Sequence, residues 1–180
     1  PRRPRSYACT GPIRYIGHDE VKRDIENLKA AVADTSALEA FMTALSPNML
    51  VPRYANRFYE TDEEYAYALA DALREEYLAI TEAGLVVQID DPHIVTVYDR
   101  DPSLDVAACR KKMQEYIEVI NYALRGIPED RIRFHTCYST NVAPRAHDLE
   151  LKDYLDLMLT INAQGYTFEA ADASFELLLA

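Results

Sequence analysis

The sequence predicts an α/β protein built around a parallel sheet. Short strand-like runs alternate with helical runs along the chain, and the links between them are short. The run at residues 85–90 is apolar almost throughout and follows a long helical pattern, which is typical of a parallel strand covered on both faces. This alternation predicts right-handed crossover connections between neighbouring strands.

The first part of the chain predicts a strand, a helix and a second strand. Residues 7–13 indicate a short strand that runs into a turn at Gly11 and Pro12. Asp19 can cap the next helix, whose inward positions keep the helical period: Val21, Ile25, Leu28 and Val32. The apolar run at residues 41–45 predicts the second strand.

The clearest predicted helix spans residues 61–83. Thr61 and Glu64 have capping-box spacing, and Gly84 suits the left-handed position after the last turn. The inward stripe consists of Tyr65, Leu69, Leu73, Tyr77 and Ile80. The strand at residues 85–90 follows directly.

The second half repeats this pattern. Residues 104–124 predict a helix with Val106 and Cys109 among its inward positions, and residues 131–139 predict a strand. A helix over residues 148–163, a strand over residues 166–170 and an apolar tail at residues 175–180 complete the chain. We count about four or five β/α units, in one domain that covers residues 1–180.

Composition excludes several classes of function. With 49% apolar and 27% charged residues, the chain has the composition of a globular domain. Its formal charge of −11 argues against nucleic acid as a partner. No apolar run approaches the roughly 20 residues that span a bilayer, and no signal peptide is recognised. Three widely spaced cysteines indicate a reducing, cytoplasmic setting rather than a disulfide framework.

Residues able to bind a metal or a polar substrate follow the predicted strands. In residues 131–139 the side chains of His135 and Cys137 project to the same face of a strand. Asp90 with Asp91, and then Glu169, end two other strands. Because functional groups collect at the carboxyl ends of parallel strands, we expect these side chains at one rim.

Each of these residues also has an ordinary interpretation. Cys137 could be a small buried apolar residue, and Glu169 a rim carboxylate paired with an arginine. Only one of Asp90 and Asp91 can face the pocket, so paired acid–base catalysis is not expected. Tyr138 and Asn141 are candidates for the pocket lining. The three loop histidines are interpreted as surface residues that could join the rim: His18, His93 and His147.

Four segments resemble the cobalamin-independent methionine synthase family, in its C-terminal catalytic half and its shorter relatives. They are CTGPIRYIGH (residues 9–18), TDEEYAYALADALREEYLAITEAGLVVQIDDP (61–92), RFHTCYS (133–139) and LKDYLDLMLTINAQGYTFEAA (151–171). The resemblance implies a (β/α)8 TIM barrel, here partial, and methyl or alkyl transfer onto a thiol of homocysteine type, as in methionine biosynthesis. It also implies a zinc ion.

The resemblance implies specific site residues as well. His135 and Cys137 match the family's H-x-C zinc ligands, and Glu169 matches its glutamate ligand. Asp90 matches the aspartate of Q-I-D-[DE]-P, which in the family holds the amino group of an amino-acid thiol. Asp91, Tyr138 and Asn141 are further candidates for substrate binding.

The chain also departs from the family pattern. The family's fourth ligand is a cysteine from a later strand, and no cysteine follows Cys137. Barrels of this type usually take about 250 residues. Three explanations fit these departures. The chain is a fragment, or a short relative completed by a homo-oligomer or complementing chain, or a relative without zinc. There are therefore two alternative functions. One is a metal-free enzyme that uses rim carboxylates and histidines, and the other is a non-catalytic assembly subunit.

Overall fold

The structure, a computed structural model, describes residues 7–97, 101, 103–137 and 149–169. In these ranges the strands are β1 (Ala8–Cys9), β2 (Phe41–Leu45), β3 (Ala55–Asn56), β4 (Val86–Asp90), β5 (Ile132–Thr136) and β6 (Gly165–Phe168). The α-helices there are α1 (His18–Val32), α2 (Asp62–Glu82), α3 (Val106–Leu124) and α4 (Leu155–Met158). Three short 3-10 helices cover Pro47–Met49, Glu129–Arg131 and Leu151–Asp153.

The predicted α/β class is confirmed. Strands β2, β4, β5 and β6 form a four-stranded parallel sheet in that order, and β1 pairs in parallel with β3 in a separate two-stranded sheet. Helix α2 contacts α1 on one side and α3 on the other, and α3 contacts α4. Sequential strand order with side-by-side helices is the arrangement of a partial barrel.

One face of the larger sheet packs on the helices. Its strand residues Val87, Ile89 and Phe134 belong to the same buried core as the helix residues Met113 and Ile120. On the opposite face, Phe41 and Leu45 are 45% and 41% exposed. Asp90 and His135, which are in register with Leu45, lie on this second, less covered face.

Most helix ends agree with the sequence predictions. Thr61 Oγ1 accepts a hydrogen bond from the Glu64 backbone N–H at 3.0 Å, and Gly84 adopts φ +84°. Asp19 was wrong as a cap: α1 begins at His18, and Gly17 stands at the cap position without a side-chain hydrogen bond. Asp19 lies in the first turn, where its negative carboxylate interacts favourably with the positive end of the helix dipole.

The predicted helix over residues 148–163 is wrong in extent. A 3-10 turn and the four-residue helix α4 replace it. Arg110 explains part of the break, because its Nη1 donates to the Asp153 carbonyl at 2.6 Å, and its guanidinium holds both carboxylate oxygens of Asp156. A carbonyl that accepts a hydrogen bond from a side chain is less available to accept the backbone N–H hydrogen bond of an α-helix.

Two smaller predictions about burial have different outcomes. Cys109 is fully buried in the core as expected, whereas Val106 at the start of α3 is 43% exposed rather than inward. Asp105 caps this helix through its carboxylate, which accepts from the Ala108 N–H at 2.8 Å. Within the described residues, no helix combines the length and the apolar character needed to cross a membrane.

Candidate functional site

Strand register places the central site residues in one row. Asp90 pairs with His135, and His135 pairs with Thr167 on the next strand. Leu45 on β2 completes the row beside Asp90. Side chains that are in register on parallel strands point to the same face, and neighbouring strands lie about 4.8 Å apart. Asp90 and His135 are therefore neighbours on the less covered face of the sheet.

The His135 imidazole is held by a neighbour on β6. Its Nδ1 lies 2.9 Å from Thr167 Oγ1, a hydrogen bond whose direction depends on the tautomer. A hydroxyl can serve as either partner, so it fixes the ring orientation in both cases. Metal-binding histidines commonly bond one ring nitrogen to a neighbour and present the other one to the ion. The contact leaves Nε2 as the nitrogen for such a role.

The Asp90 carboxylate is oriented from within its own strand. Its Oδ1 accepts a hydrogen bond from Gln88 Nε2 at 2.8 Å, and the side chain is half-buried. Gln88 is itself 8% exposed. A half-buried carboxylate with a fixed oxygen can accept an ammonium group, which is the chemistry that the sequence predicted for this position.

Cys137 and Glu169 each lie one residue past the last paired positions of their strands. That last pair is Thr136 with Phe168, and the Glu169 N–H donates to the Thr136 carbonyl at 3.3 Å. Both side chains are half-buried. The two residues therefore lie at the same edge of the sheet as His135.

The proposed ligand set is not assembled as a metal centre. Among the residues that the structure describes, no three His, Cys, Asp or Glu side chains are grouped to hold one ion. The imidazole, thiol and carboxylate are donor types that bind zinc, so the residue types fit a zinc site. Their positions in the structure do not bring the three donors together around one point. The assignment of His135, Cys137 and Glu169 as ligands stays a prediction.

Asp91 occupies a different environment from Asp90. It is fully buried, and its Oδ2 accepts hydrogen bonds from Ser46 Oγ at 2.6 Å and Asn48 Nδ2 at 2.9 Å. Its Oδ1 accepts from the His93 backbone N–H at 2.8 Å. Both carboxylate oxygens are used by the protein. The substrate role predicted for Asp91 stays a prediction, and this burial disfavours it.

The backbone of the same network connects three strand ends. The Asp91 N–H donates to the His135 carbonyl at 2.9 Å, and Thr136 Oγ1 donates to the Asp91 carbonyl at 2.9 Å. The Ser46 N–H donates to the Asp90 carbonyl at 3.2 Å. The ends of β2, β4 and β5 are thus held together under the row of Asp90 and His135.

Sequence reasoning missed the partners of Asp91. Ser46 and Asn48 directly follow a strand, which is the signal that could have placed them at this edge. His93 was interpreted as a surface residue, but it is 8% exposed and its Nδ1 lies 2.9 Å from the Asn48 carbonyl oxygen. That interpretation is wrong because the loop after β4 folds inward over the buried carboxylate.

A buried tyrosine supports the end of β2 from α2. Tyr77 is fully buried and its hydroxyl donates to the Leu45 carbonyl at 2.5 Å. Burial raises the pKa of Tyr77 well above its usual value, and the charges of Glu76 and Asp91 raise it further. The raised pKa favours the protonated hydroxyl, which is the form that donates this hydrogen bond.

Other residues that follow a strand or precede a helix are not part of the row. Gly11 and Pro12 follow β1, which belongs to the two-stranded sheet. His18 lies at the start of α1, where its Nε2 is 3.4 Å from a Glu75 carboxylate oxygen. Tyr138, Asn141 and His147 lie outside the described residues.

Comparison with known proteins gives several relatives with the same name. The chain is 27% identical to methionine synthase of Sulfolobus acidocaldarius over 158 residues, which covers 86% of this chain and 41% of that protein. Methionine synthase of Thermococcus kodakarensis is 28% identical over 123 residues, covering 67% of this chain and 29% of the relative. Methionine synthase of Saccharolobus islandicus is 26% identical over 113 residues, which covers 61% of this chain and 30% of that protein.

A solved structure with similarity to the chain is a B12-independent methionine synthase from Shewanella sp. W3-18-1 in complex with selenomethionine. It has a TM-score of 0.46 and 17% sequence identity, and the match covers 82% of this chain and 35% of that one. No family model matches the chain.

The sequence relatives bear on the resemblance stated for the four segments. All three carry the same name, and the chain spans 41% or less of the length of each. The predicted resemblance is confirmed: the chain is similar in sequence to methionine synthases, and it corresponds to part of the length of these relatives.

Proposed function

We propose that the chain takes part in methyl transfer to a thiol substrate of homocysteine type, as a methyltransferase of the methionine synthase kind. The observation that carries the proposal is the row formed by Asp90 and His135 on adjacent strands, with Cys137 and Glu169 at the same edge. The name shared by the sequence relatives supports it.

In this proposal Asp90 receives the ammonium group of an amino-acid thiol. Gln88 holds one of its oxygens, which leaves the other for the substrate. An ammonium at about 4 Å from a carboxylate gains about 4 kcal/mol at an effective dielectric constant of 20, before desolvation is subtracted. The interaction orients the substrate, so the thiol would point along the row toward His135.

Zinc is part of the proposal for His135, Cys137 and Glu169. A bound zinc ion would lower the pKa of a thiol substrate and present it as a thiolate, the nucleophilic form. The described geometry does not gather the three donors. Zinc binding would therefore require the edge of the sheet to rearrange, or a further donor to join it.

Metal analysis of the full chain tests this proposal. We expect about one zinc per active unit by elemental mass spectrometry, and loss of that metal in Cys137→Ala. Cys109→Ala is the matched control, because Cys109 is buried in the core on α3 and should leave the zinc content unchanged. After cobalt substitution, homocysteine should change the visible absorption spectrum. Protein that binds no zinc, even when zinc is supplied, would contradict the zinc assignment.

A second candidate is a metal-free enzyme that uses the rim carboxylates and histidines on a different small molecule. The absence of a three-donor group among the described residues is the observation that favours it. Activity that survives Cys137→Ala and is lost in Asp90→Asn would select this candidate. Loss of activity in both variants together with loss of zinc would select methyl transfer.

A further inference from the structure

A cavity at the opposite end of the sheet contains an arginine that lacks an acceptor. The cavity has a volume of about 380 Å³, and it lies where β2, β4, β5 and β6 begin. Phe41, Val86, Arg133 and Gly165 are among the residues that line it. These are the first or second residues of their strands, so the cavity is at the amino end, away from Asp90.

Arg133 is placed by its strand and by an aromatic ring. Its side chain is on the same face as His135, two residues away on β5, and its guanidinium carbon lies 3.6 Å from the centre of the Phe41 ring. Such stacking holds the guanidinium plane over the ring, and the ring supplies no acceptor for the N–H donors that lie in that plane. A Cβ added at Gly165 would lie 3.5 Å from Arg133 Cγ, so glycine keeps the space beside the arginine stem open.

The guanidinium has no hydrogen-bond or ion-pair partner in the part of the chain that the structure describes. Its Nε is buried and without an acceptor. A buried charged donor that is left without an acceptor is costly, and such a group needs an explanation. The stacking on Phe41 accounts for the position of the guanidinium but supplies no acceptor for its N–H groups.

Two carboxylates stand at the mouth of the cavity. Glu39 and Asp130 line it, and both are exposed, whereas Arg133 is half-buried. Neither carboxylate forms an ion pair with Arg133 within the described ranges. Water and salt screen the two exposed carboxylates more strongly than the half-buried guanidinium. The cavity is therefore suited to an anion that is small enough to pass the two carboxylates.

We propose that this cavity binds a small oxyanion, a carboxylate or phosphate group, through the Arg133 guanidinium. The planar fork of N–H donors matches the two oxygens of such a group. The site does not depend on the methyltransferase proposal, because it is at the other end of the strands and shares no residue with it.

Nuclear magnetic resonance of the full chain provides the test. Inorganic phosphate and acetate are titrated separately, at constant ionic strength set with sodium chloride, so that the two anion classes are distinguished. We expect the Arg133 Nε–H resonance and the Phe41 and Gly165 amides to shift and saturate for at least one anion, with a dissociation constant on the order of millimolar.

Two substitutions complete the test. Arg133→Met keeps the apolar stem, removes the guanidinium, and should weaken binding at least about tenfold. Arg53→Met is the matched control, since Arg53 is exposed and remote from the cavity lining and its loss changes the net charge equally. Arg133→Lys should bind more weakly than the unchanged chain because lysine lacks the fork.

Several outcomes would overturn the proposal. One is an Arg133 Nε–H resonance in the unchanged chain that does not move with either anion, a readout that does not depend on the folding of any variant. Another is an equal response in Arg133→Met and Arg53→Met. A third is a resonance that moves with protein concentration when no anion is added, because a second copy would then supply the acceptor.

Discussion

Replacing Asp91 by asparagine should destabilise the fold far more than the same change at Asp90. The new side chain would have the same shape, but one of its two terminal positions would carry an NH2 group in place of an acceptor. If the amide nitrogen occupies the Oδ1 position, it meets the His93 N–H; if it occupies the Oδ2 position, it meets the Asn48 Nδ2 donor. Either orientation leaves at least one buried donor facing another donor.

The magnitude follows from the loss of buried hydrogen bonds to a carboxylate. Such bonds contribute about 1.5–3 kcal/mol each, and an unsatisfied buried group costs about 1–3 kcal/mol. We therefore expect Asp91→Asn to lower the free energy of unfolding by about 2–4 kcal/mol. Asp90 is half-buried with one side-chain hydrogen bond, so Asp90→Asn should cost less than about 1 kcal/mol.

Urea denaturation followed by circular dichroism measures this difference. With a slope of about 2 kcal/mol per molar urea, the expected loss moves the midpoint of Asp91→Asn by about 1–2 M. Asp90→Asn should keep a midpoint within about 0.5 M of the unchanged chain. Equal midpoints for the two variants would refute the view that the Asp91 network holds the strand ends together.

Two further predictions concern pH and a backbone conformation. The bidentate contact with Arg110 lowers the pKa of Asp156 to about 2, so its contribution to stability is present above about pH 4 and is lost as the pH falls toward 2. Asp156→Asn should therefore be less stable than the unchanged chain at about pH 6 by urea denaturation, with the difference vanishing near pH 2; a difference that does not change with pH would contradict this. Gly84→Ala should cost about 1 kcal/mol, because φ is +84° and no atom stands within 4 Å of the added Cβ, so the backbone alone opposes it. Gly11→Ala, where the space is equally open and φ is not positive, is the control and should leave the midpoint unchanged.

The elements that were predicted correctly are those whose local pattern and tertiary packing agree. The helix after Thr61 has its cap, its apolar stripe and its terminal glycine in the sequence, and the structure uses all three. The strand at Val86–Asp90 is apolar except for Gln88 and the terminal aspartate, and every residue in it before the aspartate is buried. The segment after Leu149 has an equally clear apolar period, but Arg110 takes the Asp153 carbonyl and the helix shortens.

The candidate site was predictable only in part. Strand-end positions alone place Asp90 and His135 at one edge, and the register then makes them neighbours. The partner that orients His135 could not be read from the chain, since Thr167 is 32 residues away. The same holds for Asp91, whose partner Ser46 is 45 residues away. Which of the two adjacent aspartates is buried also depends on the loop that folds over the strand end.

The sequence by itself determined the α/β class, the order of the main elements and the residue types available at the strand ends, because these depend on short-range periodicity and turn chemistry. Only the tertiary structure decided which carboxylate is buried in a network and which is presented on the open face. It also decided that Arg133 stacks on Phe41 and has no acceptor in the described part of the chain. These outcomes depend on strand register and on contacts between residues far apart in the chain, which no local pattern encodes.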